Sequence, residues 1–220
     1  QGNNFLVTTN KEKFEAKTVL IATGAKRRKL TVRGADKFEN KGLTYCASCD
    51  GPLFADMDVV VVGGGNAGFE TCAQLLAYCK SVTLLNRSDH FKADEITIAK
   101  ILANPKMKAV KNADLAEIHG DKFIDAVSYK DKTTGKIVKL NVSGVFAEIG
   151  SIPATDFAKV ILKIDEFGRI ITDPKNGKTS LPGIWSAGDC TDGLYHQNNI
   201  AAGDAVKALE DIYFYLKTKS

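Results

Sequence analysis

The chain has 220 residues, of which 44% are apolar and 25% charged, with a formal net charge of +4 at pH 7. These values are typical of a globular protein with one large or two modest domains, and they exclude extensive disorder. The charge is small and scattered, which argues against nucleic-acid binding, and the one basic cluster, Lys26-Arg27-Arg28-Lys29, is interpreted as a solvated loop. Because the sequence has neither a membrane-spanning apolar run nor a signal peptide, we expect a cytoplasmic protein.

In chain order, the first predicted strands are two short apolar and β-branched runs, Phe5 to Thr8 and Thr18 to Ala22, each flanked by polar residues. Residues 25 to 42 follow without a clear period. We expect an irregular connecting segment there, crossing from one part of the fold to the next.

A strand, a helix and a second strand follow as one unit. Val59 to Val62 is continuously apolar, Ala67 to Tyr78 has a helical period, and Val82 to Leu85 is apolar again. The predicted helix keeps four side chains near one face: Phe69, Cys72, Leu76 and Cys79. This βαβ unit predicts the core of a doubly wound α/β domain.

The next elements extend this domain. Asp94 to Ala103 predicts a helix, and Phe123 to Lys130 with Lys136 to Val142 predicts a hairpin around a glycine-containing loop. Gly144 to Ile149 predicts a buried strand, after which the chain is expected to leave the domain.

The last part of the chain predicts a different domain. Leu181 to Asp189 reads as a turn and a short strand with a Gly-Asp end, and Gln197 to Lys217 predicts a helix. Five apolar residues form one stripe of that helix: Ala201, Ala205, Leu209, Ile212 and Leu216. Because this tail has no phosphate loop of its own, we expect it to complete a domain begun by residues 1 to 40, which makes the middle domain an insertion.

A glycine-rich turn in the βαβ unit predicts a dinucleotide site. Gly63, Gly65 and Gly68 have G-x-G-x-x-G spacing between the apolar strand and the helix. The first glycine permits the turn, the second lets a pyrophosphate approach, and the third lets the helix pack on the strand, while the helix N-terminus binds the phosphates. Asn66 and Ala67 are further candidate cofactor-binding residues. A purely structural glycine turn is the alternative.

The end of the second strand bears on the choice of nicotinamide nucleotide. An acid there would bind the ribose of NAD, whereas cations would bind the 2′-phosphate of NADP. The position holds Asn86, Arg87 and Ser88, with Lys92 nearby. Since Arg87 and Lys92 carry positive charge and Ser88 can donate a hydrogen bond, the pattern favours NADPH. If both cations are merely solvated, the choice stays open.

The pair Cys46 and Cys49, followed at once by Asp50, predicts a redox dithiol. One thiolate would attack a disulfide, the second would resolve the intermediate, and the carboxylate would shuttle a proton. Zinc would need further ligands, but the remaining cysteines and histidines are isolated in the sequence, so we predict no metal site. These isolated residues are Cys72, Cys79, Cys190, His90, His119 and His196. A flavin is the expected relay between a nicotinamide and this dithiol.

Four segments, in this order, resemble low-molecular-weight thioredoxin reductases and the flavoprotein subunit of alkyl hydroperoxide reductase, in class II of the pyridine nucleotide-disulfide oxidoreductases. They are Tyr45–Gly51, Gly63–Gly68, Gly150–Pro153 and Gly183–Asp189. The resemblance implies two doubly wound Rossmann-like domains: an FAD domain formed by residues 1–42 and 150–220, and a nicotinamide domain, residues 43–149, inserted into it. Because the family's first glycine-rich loop would precede Gln1, we expect the FAD domain to be truncated at its N-terminus.

The resemblance also implies roles for single residues. Cys49 would face the flavin, Cys46 would attack the partner's disulfide, and Asp50 would be the acid/base. The FAD site would include Asp189 at the ribityl chain, Gln197 near the pyrimidine edge, and further Thr23, Gly24 and Gly188.

We therefore predict a flavin-dependent, homodimeric disulfide oxidoreductase that passes electrons from NADPH through FAD and the dithiol to a thioredoxin-like protein. One alternative is an NADH-dependent flavoprotein that feeds a peroxiredoxin system, a branch that resembles this chain in Leu84-Leu85 and Lys92-Ala93-Asp94. Another is a truncated nucleotide-binding fragment without activity.

Overall fold

The computed structural model describes residues 4–218. Its helices are α1 (Ala35–Phe38), α2 (Ala47–Asp50), α3 (Asn66–Leu75), α4 (Glu95–Leu102) and α5 (Asn198–Thr218). Its strands are β1 (Phe5–Thr8), β2 (Lys13–Ala16), β3 (Val19–Ile21), β4 (Ala25–Arg27), β5 (Leu43–Thr44), β6 (Asp58–Val62), β7 (Ser81–Leu85), β8 (Met107–Val110), β9 (Ala113–Gly120), β10 (Ile124–Asp131), β11 (Ile137–Asn141), β12 (Gly144–Ala147), β13 (Ser151–Pro153) and β14 (Ile184–Ser186). The outermost residues of the predicted FAD domain, 1–3 and 219–220, lie outside the described range.

The chain forms two compact units. Within the described range, the outer unit contains residues 4–26 and 151–218, and the central unit runs from Arg27 to Gly150. Contacts group the segment before β5 with the central unit because Leu30 and Phe38 pack in the same core as Leu43. The functional boundaries at 42/43 and 149/150 stay a prediction.

A five-stranded parallel sheet organises the central unit, in the order β5-β12-β6-β7-β8. The valines of β6 alternate between its two faces. Val59 and Val61 pack with the residues of α3, whereas Val60 and Val62 belong to a second core on the opposite face. This sheet confirms the predicted α/β class, and its central strand is apolar from Val59 to Val62 because both faces are covered there.

The second face is covered by a three-stranded antiparallel sheet, in the order β11-β10-β9. The predicted hairpin corresponds to β10 and β11 and is confirmed. Strands β8 and β9 were not predicted, because lysines and acids interrupt their apolar pattern. The prediction of an irregular segment over residues 25 to 42 is wrong in part, since β4 and α1 lie there. Gly34 immediately precedes α1 and has a φ of 87°, and a Cβ there would lie 2.2 Å from the carbonyl oxygen of Ile118.

The outer unit joins the two ends of the chain. Strand β3 pairs in parallel with β14, so the tail lies in the same compact unit as the N-terminal residues. Helix α5 packs beside β14, where Trp185 contacts Tyr215 edge-on and donates its indole N–H to Asp211.

The predicted stripe of α5 is wrong at one position. Leu209 is 59% exposed, and the neighbouring Ala208 is buried instead. The helix approaches Gly177 so closely that a Cβ on that glycine would lie 3.3 Å from the Ala208 methyl. Because that Cβ would also lie 2.9 Å from the carbonyl oxygen of Ser186, glycine is required at this position. None of the helices within residues 4–218 is long and apolar enough to cross a membrane.

Candidate active site

Cys46 and Cys49 form a disulfide at the start of α2, with their Cα atoms 5.3 Å apart. Cys46 is the residue that precedes the helix, and its sulfur accepts a hydrogen bond from the backbone N–H of Cys49 at 3.2 Å. The same amide would stabilise a thiolate on Cys46 after reduction, since hydrogen bonds to the charged form of a group favour that form. Cys46 is half-buried, whereas Cys49 is exposed.

Asp50 is held beside this disulfide by two hydrogen bonds. Its backbone N–H donates to the Cys46 carbonyl at 3.1 Å. Its carboxylate Oδ2 accepts a hydrogen bond from the hydroxyl of Thr44, the last residue of β5. Sequence reasoning missed Thr44, although a hydroxyl residue two positions before a Cys-x-x-Cys pair was a signal that pointed to it.

The other thiols are placed where they cannot exchange readily. Cys72, Cys79 and Cys190 are buried. Burial raises the pKa of Cys79 to about 11 and raises that of Cys72 as well. Thiolates are the reactive form, so thiol chemistry concentrates at Cys46 and Cys49. Within residues 4–218, no group of three or more His, Cys, Asp or Glu side chains could hold a metal ion.

The glycine-rich turn joins β6 to α3, and two of its glycines are required sterically. Gly63 has a φ of 126°, and a Cβ there would lie 2.1 Å from the carbonyl oxygen of Glu148. A Cβ on Gly68 would lie 1.9 Å from the carbonyl oxygen of Gly63. At Gly65, by contrast, a Cβ would meet no described atom within 4 Å, and no described side chain caps the helix that begins there. Open space before uncapped amides suits a phosphate group.

The loop after β7 folds back over this turn. The buried Asn86 donates its side-chain N–H groups to the carbonyls of Ser88 and His90, at 2.9 and 2.8 Å. Lys92 donates its backbone N–H to the Gly64 carbonyl at 2.8 Å. Asn86 and Lys92 are therefore brought next to the glycine turn. Asn86 itself serves to hold the loop.

Two of the other predicted loop residues, Asn66 and Ala67, are exposed at the start of α3. The Asn66 side-chain oxygen accepts the backbone N–H of Asp94 at 2.9 Å, which links α3 to the start of α4. That contact gives Asn66 a structural role.

A shallow cleft of about 750 Å³ is lined by two of the predicted specificity residues, Arg87 and Ser88, but not by Lys92. The other residues of its lining are Asp89, His90, Asn112, Asp114, Lys132 and Thr133. Lys132, from the turn between β10 and β11, donates its ammonium group to the Arg87 carbonyl at 3.3 Å. Asp89 pairs with His90 at 2.7 Å, and the hydrogen bond from that ring lowers the pKa of Asp89. Sequence reasoning missed Lys132 because a turn 45 residues away carries it.

A buried carboxylate lies behind the glycine turn. Glu148 follows β12, its side chain is 5% exposed, and it accepts hydrogen bonds from Thr71 at 2.9 Å and Arg27 at 2.7 Å. The Arg27 side chain is still 58% exposed, and that of Lys29, which pairs with Glu39, is 64% exposed, so both cations of the basic cluster remain largely solvated.

The residues predicted for FAD lie in the outer unit. Thr23 and Gly24 follow β3, while Gly188 and Asp189 follow β14, so both pairs stand at the carboxyl end of neighbouring parallel strands. That edge is where ligands bind in open parallel sheets. Within residues 4–218, no hydrogen bond or ion pair engages the half-buried Asp189 carboxylate, which leaves it available to a ligand hydroxyl. The described residues fit an FAD group at this edge. Gln197 is exposed just before α5.

Comparison with known protein families gives one extended match. Residues 2–205 match the family model described as pyridine nucleotide-disulphide oxidoreductase. An NADH dehydrogenase of Bacillus subtilis is 40% identical over 203 residues, which are 92% of this chain and 40% of that protein. A protein of Staphylococcus epidermidis that is a subunit of alkyl hydroperoxide reductase is 37% identical over the same shares. The chain thus spans about two fifths of the length of these curated relatives.

Solved structures give a match over the whole fold. Lactococcus lactis thioredoxin reductase has a TM-score of 0.90 at 32% identity, covering 99% of this chain and 72% of that one. T. acidophilum thioredoxin reductase has a TM-score of 0.88 at 35% identity, covering 100% of this chain and 72% of that one. The architecture described above is therefore the one found in these reductases.

Proposed function

The chain belongs to the pyridine nucleotide-disulphide oxidoreductase family, and we propose that it acts in a flavin-dependent disulfide oxidoreductase. Its similarity to thioredoxin reductases and to a subunit of alkyl hydroperoxide reductase supports this proposal. The observation that carries this proposal is the Cys46–Cys49 disulfide, with Asp50 held beside it, in the same compact unit as a dinucleotide turn. Electrons would pass from NADPH to the disulfide of a thioredoxin-like protein.

The reaction at the dithiol follows from the arrangement around α2. The reduced Cys46 thiolate, stabilised by the Cys49 amide, attacks one sulfur of the acceptor disulfide. The acceptor S–S bond breaks, a mixed disulfide forms, and the departing sulfur takes the proton that Asp50 holds. Cys49 then passes its proton to Asp50 and attacks Cys46 as a thiolate, which releases the acceptor's second sulfur as a thiolate and restores the disulfide. Two thiols are oxidised, and one acceptor disulfide becomes two thiols.

We assign the two cofactors to the two units. In the central unit, the amides after Gly65 bind the pyrophosphate of a nicotinamide nucleotide, and Arg87, Ser88 and Lys132 bind near its adenosine phosphate. In the outer unit, the edge formed by the residues after β3 and β14 binds FAD through Asp189, with Gln197 close to it. A bound flavin supplies the two-electron relay between nicotinamide and disulfide.

Anaerobic titration of a full-length version with NADPH tests the proposal. We expect the flavin absorbance to bleach and two thiols to become reactive. Cys46→Ser and Cys49→Ser should each abolish disulfide reduction, whereas Lys139→Ala, an exposed change on β11, should retain it. If both cysteine variants still reduced the acceptor, the proposed mechanism would be wrong.

A second candidate is an NADH-dependent flavoprotein that feeds a peroxiredoxin system. The names of the relatives, an NADH dehydrogenase and a component of alkyl hydroperoxide reductase, favour it. The mixed charge of the adenosine-end cleft, with Asp89 and Asp114 beside Arg87, also fits NADH. The ratio of kcat/KM for NADPH to that for NADH separates the candidates, and a loss confined to NADPH in Arg87→Ala would assign Arg87 to the 2′-phosphate. In either case we place the protein in the cytoplasm, where buried free thiols persist.

A further inference from the structure

We infer that Thr44 is a positioning residue, whose hydroxyl holds the Asp50 carboxylate in place for thiol–disulfide exchange. This inference deepens the proposed function and rests on it. It concerns a residue outside the Cys-x-x-Cys-Asp segment, at the end of a strand of the parallel sheet.

The Thr44 hydroxyl bridges two groups of the exchange site. It donates to Asp50 Oδ2, and its oxygen accepts the backbone N–H of Cys46 at 3.3 Å. A hydroxyl has a single hydrogen, so accepting from the amide leaves that hydrogen for the carboxylate. The carboxylate is thereby linked through one oxygen atom to the amide of the attacking cysteine.

A second tether closes the arrangement. The backbone N–H of Asp50 donates to the carbonyl of Cys46, while its side chain is bound to Thr44, which in turn accepts the Cys46 amide. Without the hydroxyl, the carboxylate keeps only the backbone tether and its side-chain torsions are released. Because proton transfer needs the carboxylate within hydrogen-bond reach of the reacting sulfur, that freedom slows the reaction.

The position of Thr44, buried at the end of a strand, makes it suitable for orienting the Asp50 carboxylate. It is 8% exposed and ends β5, where its partner in the parallel pairing is the fully buried Phe146. A side chain on a buried strand is held more precisely than one on a loop. Thr44 acts through Asp50, and its contribution therefore depends on the carboxylate being present.

The test measures how fast dithiothreitol opens the Cys46–Cys49 disulfide in the oxidised 220-residue chain, with maleimide labelling of the new thiols. Thr44→Val keeps the shape and removes the hydroxyl, and we expect about tenfold slower exchange, as for loss of one hydrogen bond to a charged group. Thr44→Ser keeps the hydroxyl and should exchange near the wild-type rate. Thr83→Val, the same chemical change on β7 of the same sheet, should have no effect.

A double-mutant comparison separates positioning from general damage. Asp50→Asn should slow exchange at least as much as Thr44→Val, and adding Thr44→Val to Asp50→Asn should change the rate little, because the two act as one unit. Wild-type exchange in Thr44→Val, equal slowing in Thr44→Ser, or additive effects in the double variant would each overturn the inference. If Thr44→Val unfolds, Thr44→Ala takes its place in the comparison.

This experiment needs neither nicotinamide nor flavin, so its failure is distinguishable from failure of the proposed function. If exchange depends on Thr44 but the full-length protein reduces no disulfide with NADPH, the inference about Thr44 holds and the proposed function is wrong. If NADPH supports disulfide reduction but exchange is independent of Thr44, the proposed function holds and the inference about Thr44 is wrong.

Discussion

Replacing Gly65 by alanine should weaken nucleotide binding without unfolding the protein. Its backbone, with φ −94° and ψ −176°, suits any residue, and a Cβ there meets no described atom within 4 Å. The new methyl group would nevertheless stand before the first amides of α3, where a pyrophosphate would lie. Gly68 provides the contrast, because a Cβ there would lie 1.9 Å from a backbone oxygen.

The two effects of Gly65→Ala on stability nearly cancel. Alanine restricts the unfolded chain, which stabilises the fold by about 0.4–1 kcal/mol. Alanine also begins a helix less well than glycine, at a cost of about 0.5–1 kcal/mol. We expect a net change in the free energy of unfolding within about 1 kcal/mol. Loss of one hydrogen bond to a charged phosphate, about 1.5–3 kcal/mol, should raise the Kd for NADPH by about 10- to 100-fold.

Titration calorimetry with NADPH and thermal unfolding of the unliganded protein measure the two quantities separately. Gly68→Ala, the control, should lower the Tm clearly, because its clash is with backbone that must move. Wild-type affinity in Gly65→Ala would refute the assignment of this turn to the pyrophosphate. A Tm loss as large as that of Gly68→Ala would refute the steric argument.

Three further predictions concern specificity, thiols and pH. Arg87→Ala combined with Lys132→Ala should raise the KM for NADPH and leave that for NADH unchanged; an equal rise for both would place the cations away from the 2′-phosphate. With dithionitrobenzoate at about pH 8, the native oxidised chain should show almost no reactive thiol, since burial raises the pKa of Cys79 to about 11. Rapid labelling would contradict this. The hydrogen bond from Ser81 lowers the pKa of Asp58, so its stabilisation is complete above about pH 4 and is lost as the pH falls through the lowered value. Ser81→Ala should therefore cost about 1 kcal/mol in urea unfolding at neutral pH and progressively less in acid, and a pH-independent cost would refute the linkage.

The family and the central βαβ unit could be predicted from the sequence because each depends on neighbouring residues. A buried parallel strand needs an unbroken apolar run such as Val59 to Val62, and the turn after it needs glycines where a Cβ would strike backbone. The helix from residue 67 was predicted three residues too long at its C-terminus, because the apolar pattern continues beyond Leu75 into a turn. Local patterns thus identify an element more reliably than its end.

The supporting contacts of the site could not be predicted, because they join distant parts of the chain. Glu148 reaches Thr71 only through the pairing of β12 with β6, and Lys132 reaches Arg87 only through a hairpin turn. Thr44 lies close to Asp50 in sequence, but its hydroxyl points at the carboxylate because β5 ends where α2 begins. Short elements such as α1 were missed since four residues show no measurable period.

The pairing of β3 with β14 sets an order for folding during synthesis. Ser186 donates to the Ile21 carbonyl across 165 residues, so β3 leaves the ribosome long before its partner exists. The central unit is complete much earlier, and its ends meet where the Arg28 N–H binds the Gly150 carbonyl at 2.9 Å. Once folded, it shortens the loop that separates β3 from β14 and lowers the entropy cost of closing it. We therefore expect the outer unit to fold last. With the central unit already folded, the entropy cost of pairing β3 with β14 is close to that of a contact between residues near in sequence.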